Sequence, residues 1–271
     1  MCYKIFLRGI IIVNLSDLGI LALIEGVADI VPIDGSAHAM IVSRLMSLRA
    51  GSLAPAFHLG AALAIALYFW RDMSLISSGL WKLRKARIEA GTRLLAKILV
   101  AVLPLILVEA GIGGFAPPSL VSIFWIGVLT MVCALVMAFA DRMSLTVKRI
   151  EHIGGLTALA VGVAQLGALV TGLGRVPSAL IMARLFGMER SAAYRFVLLA
   201  TLPILLVETV AELVESGRHP GFSDFLSVCL SFALVLVALP AAFALIRRGG
   251  LLPFALYRLL FGAVLVGLGL L

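Results

Sequence analysis

Glu25, Asp29, Asp34, Ser36 and His38 crowd into one stretch, Glu25-Gly-Val-Ala-Asp29-Ile-Val-Pro32-Ile-Asp34-Gly35-Ser36-Ala-His38, of a chain that is otherwise largely hydrocarbon. Ionised carboxylates in a membrane core are costly, so such residues usually line a polar cavity or bind a cation. Glu25 and Asp29 are four apart and stack on one face of a helix, where two hard oxygen ligands can share Mg²⁺ or Ca²⁺, ions that also bind a substrate phosphate. The alternative is a purely structural carboxylate. Pro32 ends that helix, and Asp34-Gly35-Ser36 is turn chemistry able to start the next one. Asp34 and Ser36 therefore read equally as helix caps or as residues that act on a substrate. His38 falls in the first turn of the following helix and is expected to point toward the carboxylates, as general acid, nucleophile or metal ligand, the alternative being a packed, hydrogen-bonded histidine.

A second group stands in Thr171-Gly172-Leu173-Gly174-Arg175-Val176-Pro177. Gly172 and Gly174 let the backbone approach a ligand closely, and Arg175 sits at a helix start whose amides point the same way. Amides and guanidinium together make an anion site, and arginine matches phosphate oxygens in a bidentate fashion. Alone this pattern says little; opposite a carboxylate pair that holds a divalent cation it becomes the other half of a phosphate clamp. His58 lies early in an apolar span and either reaches the site or packs. Glu208 and Glu212, four apart, belong either to the cavity or to the outer water interface. Arg195 and Arg258 begin spans on the basic side and are expected to snorkel to the interface.

The elements that must position these groups are membrane helices. The chain has 271 residues, is 62% hydrophobic and only 13% charged, and its mean hydropathy is +1.16, values that exclude a soluble domain of this size. The net charge of +8 sits in short loops between apolar runs, a topology signal and not a nucleic-acid surface. Cys2, Cys133 and Cys229 show no metal or disulfide spacing and read as packing residues. No cleavable signal peptide is expected, and Met1 to Leu15 reads as an interfacial helix. Six full spans are expected, at Ala54–Trp70, Leu94–Gly111, Leu120–Ala140, Ala192–Val214, Phe222–Ile246 and Leu251–Leu271. Arg71, Lys82, Arg84, Lys85, Arg87 and Arg93 fall in one polar connection, and Ala116-Pro117-Pro118 turns on the opposite side.

Residues 18–48 and 154–187 are each two apolar pieces too short to cross a bilayer, broken by a turn, and read as re-entrant helix hairpins. Glu25-Gly-Val-Ala-Asp29 matches Val161-Gly-Val-Ala-Gln165, and Ala39-Met-Ile-Val-Ser-Arg44-Leu45 resembles Ala179-Leu-Ile-Met-Ala-Arg184-Leu185. The expected architecture is a single all-α, polytopic membrane domain over residues 1–271. It is built as an inverted repeat of about 16–140 and 154–271, with its polar site where the interrupted helices meet.

These residues resemble the undecaprenyl-diphosphate phosphatases of the bacitracin-resistance type. That family's first motif has two Glu four apart, then Pro, a Ser-rich turn and Gly-His; Glu25, Asp29, Pro32 and His38 stand in register. Its second motif, Pro-Gly-x-Ser-Arg-Ser-Gly, aligns with residues 171–177, and Leu252-Pro-Phe-Ala-Leu-Tyr-Arg258 resembles a closing Pro-Phe-Ala-x-Tyr-Arg signature. Phe57-His58-Leu59-Gly60 through Phe69-Trp70-Arg71 matches the first long span. The departures are Asp34 and Gly35 where the family usually has two serines, Ser36 where it has threonine, and Gly174 where a serine precedes the arginine.

The resemblance implies a multi-pass enzyme of the bacterial plasma membrane that releases inorganic phosphate from undecaprenyl diphosphate and recycles the cell-wall lipid carrier, with its site facing the outer side. Glu25 and Asp29 would hold the cation; Arg175 and the Gly172–Gly174 backbone, with Asp34 and Gly35, would bind the diphosphate; His38 or Ser36 would carry the chemistry. The partners implied are the polyprenyl diphosphate and membrane lipids, with a homodimer left open. The competing readings are a non-hydrolytic carrier of the phosphorylated lipid or a silent homologue, since the family serines are replaced.

Overall fold

The computed structural model describes residues 15–46, 53–83, 87–112, 122–144, 148–217 and 219–270. The interfacial helix expected before Leu15, Cys2, Arg84, Lys85 and the Ala116-Pro117-Pro118 turn lie outside the described residues. The first hairpin begins with α1 (Leu15–Leu21), widens into a π-helical turn (Ala22–Val27) and closes with α2 (Ala28–Ile30). Val31 is extended at ψ 151° because the ring of Pro32 disfavours a helical residue before it. The return arm, α3 (Gly35–Met46), has 12 residues and rises only about 18 Å, far short of a bilayer.

The second hairpin follows the same plan. It consists of α8 (Gly155–Gln165), a tight 3₁₀ turn (Leu166–Leu169), the glycine-bearing tip and α9 (Arg175–Leu185). Glycines at matched positions press each outgoing arm onto a long helix. A side chain on Gly26 would collide with Ser231, and one on Gly162 with the Ala101 carbonyl. Such close approach is how helices associate where lipid removes the hydrophobic drive.

Among the described residues, five helices are long and apolar enough to cross a membrane: α6 (Ala90–Ile112), α7 (Ile123–Met143), α10 (Arg190–Ser216), α11 (Phe222–Gly249) and α12 (Leu252–Leu270). The sixth expected span is a bent pair. α4 (Ala54–Tyr68) turns by 82° at Phe69 into α5 (Trp70–Leu83). Part of the expected polar connection is thus helical: α5 buries Asp72 and Gly79 and leaves Leu75, Leu80 and Trp81 exposed. Asp72 draws it in by a two-pronged ion pair with Arg195.

The long helices close around the hairpins. A Cβ on Gly60 of α4 would lie 2.5 Å from the Val228 carbonyl of α11, and Ser231 donates to the Phe57 carbonyl at 2.7 Å. On the other flank, α7 and α12 meet where Gly127 and Gly262 face each other's carbonyls. The main core runs from Ile30 through Val176 and Leu180 to Tyr194 and Phe243, so it takes in the end of the first hairpin's outgoing arm and the inner face of the second hairpin, whereas α3 buries only Ala37.

Candidate active site

The two hairpin tips meet. Asp34 is 3% exposed; its carboxylate accepts one bond from Ser36 Oγ at 2.7 Å and another from the Gly172 amide of the opposite tip at 2.5 Å. Arg258 completes the clamp by donating to the Ile33 carbonyl of the first tip (3.0 Å) and to Gly172 O (2.7 Å) and Leu173 O (3.1 Å) of the second. Arg258 is 1% exposed, so the expectation that it snorkels is corrected. It lies well inside α12, and three carbonyls freed by the broken hairpins give its fork better partners than water. Cys133 Sγ adds a contact to Leu173 O at 3.5 Å, and Tyr194 donates to Ile30 O at 3.1 Å.

Beside the joined tips lies a cavity of about 530 Å³. Asp29, Asp34, Ser36, Gly174 and Arg175 line it from the hairpins, His58 from α4, Glu109 from α6, and Glu208, Glu212 and Glu215 from α10. Arg175 is its hub. The guanidinium is buried and donates to Asp29 Oδ2 at 2.5 Å and to Glu208 Oε1 at 2.9 Å, joining first hairpin, second hairpin and α10 in one ion-pair chain. His58 makes the parallel link, with Nε2 4.0 Å from Glu25 Oε2 and Nδ1 3.6 Å from Glu212 Oε2. Arg175 Nε, His58 Nδ1, Glu208 Oε2 and Glu212 Oε2 are buried without a hydrogen-bond partner. Buried polar atoms are almost always partnered, so these four retain hydrogen-bonding capacity toward the cavity.

Sequence and structure differ in instructive ways. Glu25 and Asp29 take separate partners, His58 and Arg175, because the π-helical turn that contains Glu25 alters the helical register between them. His38 does not face the carboxylates. Its Nδ1 meets the Asp34 carbonyl at 2.5 Å, its Nε2 meets the Tyr257 hydroxyl at 2.6 Å, and its ring stacks 4.2 Å from Phe261, so α12 holds it away from the cavity wall. The Gly172 amide, expected to face a diphosphate, is spent on Asp34. Gly35 packs its backbone against the Asp29 turn. Ser36 stays exposed on the cavity wall. Glu208 and Glu212 resolve as cavity residues. Glu109 and Glu215 were not singled out from sequence, although a carboxylate near the end of an apolar run carried the same signal as Glu25.

Known proteins match this chain along nearly its whole length. The family model "Bacitracin resistance protein BacA" matches residues 18–264. Undecaprenyl-diphosphatase 1 of Rhodospirillum rubrum is 33% identical, with 92% of this chain and 93% of the relative covered. Undecaprenyl-diphosphatase of Maricaulis maris is 32% identical over 93% of this chain and 95% of its own. Undecaprenyl-diphosphatase 1 of Paramagnetospirillum magneticum is 30% identical over 92% and 95%. With its helix-and-hairpin architecture and a match that takes in both hairpins, the chain belongs to the bacitracin resistance protein BacA family.

Proposed function

We propose that the chain hydrolyses a polyprenyl diphosphate, undecaprenyl diphosphate by the names of its relatives, to the monophosphate and inorganic phosphate. The observation that carries this reading is Arg175, a buried guanidinium held by Asp29 and Glu208 on a cavity wall where its own Nε and one oxygen each of Glu208 and Glu212 have no hydrogen-bond partner. Held there, the guanidinium offers its unpartnered Nε and its fixed charge to a phosphoryl group. Ser36 presents a hydroxyl to the same cavity and already donates its proton to Asp34. In this reading Ser36 Oγ bonds the terminal phosphorus, its proton passes to Asp34, the bridging P–O bond breaks and the lipid monophosphate departs. Water then hydrolyses the phosphoserine to free phosphate. The placement of Ser36 favours it over His38 as nucleophile, and His38 serves to hold the Asp34 turn against α12.

The donor chemistry of the cavity suits a hard divalent cation, Mg²⁺ or Ca²⁺, because Glu208 and Glu212 carry carboxylate oxygens without a hydrogen-bond donor on the wall that Asp29 shares, and Glu25 joins them through His58. Among the described residues no three of these groups are assembled as a metal site, so Glu25 and Asp29 would hold the ion only after side-chain rotation. When bound it would neutralise phosphoryl charge. The meeting of the two tips supports the reading of residues 16–140 and 154–271 as inverted halves. Glu109 and Glu215 stand at the helix ends opposite the basic loops, which supports a site open to the outer face of the bacterial plasma membrane.

The test is phosphate release from undecaprenyl diphosphate by detergent-purified protein with Mg²⁺, Ca²⁺ or chelator, beside Glu25→Gln, Ser36→Ala and Arg175→Ala. Release that is abolished by Arg175→Ala and Ser36→Ala is expected. Folded protein that binds the lipid and releases no phosphate overturns hydrolysis and leaves carriage of the phosphorylated lipid as the function.

A further inference from the structure

At the other end of the helices, a second cavity of about 740 Å³ opens where α4 bends into α5. Its walls are the bend itself, the short 3₁₀ turn (Ile150–His152), the first turn of α10 and the last turns of α11. Four arginines reach it: Arg71, Arg149, Arg195 and Arg247. Asp72 is fully engaged with Arg195, which leaves Glu151 and Glu189, both exposed, as the carboxylates on this wall for Arg71, Arg149 and Arg247 among the described residues; Arg247 Nε also donates to the Phe243 carbonyl at 3.4 Å. Arg71 lies over the Trp70 ring at 5.6 Å and Arg247 over Phe243 at 6.0 Å, so aromatic faces position two of the three guanidiniums. Ser191 and Ala192 bring the N-terminus of α10 to the same wall, where first-turn amides lack helical partners and favour an anion.

The neighbourhood says which anion. Tyr68, Phe69, Ile150 and Phe243 line the cavity beside the arginines. Trp70 and Trp81 are 59% and 65% exposed, and α5 runs off at 82° with Leu75 and Leu80 also outward, the arrangement of a helix lying in the membrane interface. A phosphate arriving here with an acyl chain attached meets guanidiniums at headgroup level and hydrocarbon beside them. Free phosphate would gain nothing from that second surface.

We propose that this cavity is a second phosphate site, remote from the candidate active site, that takes the phosphodiester headgroup of an anionic phospholipid from the leaflet on the basic side. The group recognised is a phosphate oxyanion, and Arg149 and Arg247 are its principal ligands, with Arg71 at the rim.

The experiment needs no hydrolysis. Thermal unfolding and native mass spectrometry of the full chain are followed in neutral detergent with added dioleoyl-phosphatidylglycerol, dioleoyl-phosphatidylcholine or inorganic phosphate. Arg149→Gln/Arg247→Gln is compared with Arg149→Lys/Arg247→Lys and with Arg142→Gln/Arg248→Gln, which removes two exposed arginines of the same face outside the cavity. Phosphatidylglycerol is expected to raise the unfolding midpoint and remain bound. Its affinity should fall about fivefold for each guanidinium lost from the cavity, recover in part with lysine, and stay unchanged in the Arg142/Arg248 pair. Equal effects of phosphatidylcholine, equal losses in the Arg142/Arg248 pair, or a matching shift from inorganic phosphate would each overturn the proposal, the last by making the site one for the free ion.

Discussion

Replacing Arg175 by alanine removes the counter-charge of Asp29 and Glu208 together, in a cavity that also holds Glu109, Glu212 and Glu215. Breaking a buried ion pair from one side costs about 3 kcal/mol, because the partner's charge is stranded. Arg175→Ala should therefore lower the thermal midpoint in detergent as well as abolish phosphate release. Arg175→Lys separates the two effects. An ammonium keeps the charge and most of the stability, but lacks the planar fork that reaches both carboxylates, so phosphate release should fall at least about tenfold while the midpoint stays close to that of the parent. A lysine variant with full turnover would show that Arg175 serves charge balance alone.

At the scale of the hairpin tips, two departures from the family pattern behave differently. Gly174 has φ 77° and ψ 149°, a region of backbone space open essentially to glycine, and a Cβ there would lie 3.2 Å from both Asp34 Cβ and the Ile33 carbonyl. Reinstating serine with Gly174→Ser should cost about 1–3 kcal/mol and depress phosphate release. Gly35 has no positive φ, so only its space is constrained: a built Cβ would press on the Asp29 amide at 3.3 Å and the Ile24 carbonyl at 3.4 Å, which must give by a few tenths of an ångström. Gly35→Ser should lower the unfolding midpoint less than Gly174→Ser, because it adds a tight contact without backbone strain, and paired thermal melts of the two variants check the contrast. Arg258→Gln tests the clamp across the tips. It removes charged bonds to three carbonyls, each worth about 1.5–3 kcal/mol, so the variant should unfold earlier and lose phosphate release even though Arg258 does not line the cavity. The hairpins themselves were legible in the sequence, because Pro32, the glycines of 172–174 and the short apolar lengths are local signals. The orientation of His38 was not: Tyr257 and Phe261 lie on another helix, and nothing near His38 announces them.

Over the whole molecule the same division holds. The apolar runs and basic loops predict the long helices, whereas the 82° turn at Phe69 depends on a pull that only the fold supplies, the pairing of Asp72 with Arg195 on α10. The ion pairs at the basic end of the helices were equally silent in the sequence, because each partner there reads alone as an interfacial charge. The clearest case is Asp141 at the basic end of α7. It is 5% exposed, accepts from Arg184 Nε at 3.1 Å, from Arg190 Nε at 2.8 Å and from the Leu251 amide at 3.1 Å, and so ties α7 to α9, α10 and the start of α12. Arg184, whose side chain is 1% exposed, also donates to the Asp141 and Met188 carbonyls. None of these residues lines the candidate active site. Asp141→Ala strands the Arg184 charge in the interior and should destabilise the protein by about 3 kcal/mol, while each molecule that remains folded turns over at the parent rate. Arg190 is half-exposed and can turn to water, so Arg184 carries the penalty. A second substitution, Asp141→Leu with Arg184→Met, removes both charges and should recover much of the loss, since an apolar pair of similar volume avoids the desolvation cost. Thermal melts and phosphate release normalised to folded protein check both halves of this expectation. A fall in turnover that survives the double substitution would mean that the basic end of the helices governs the distant cavity as well as the stability of the fold.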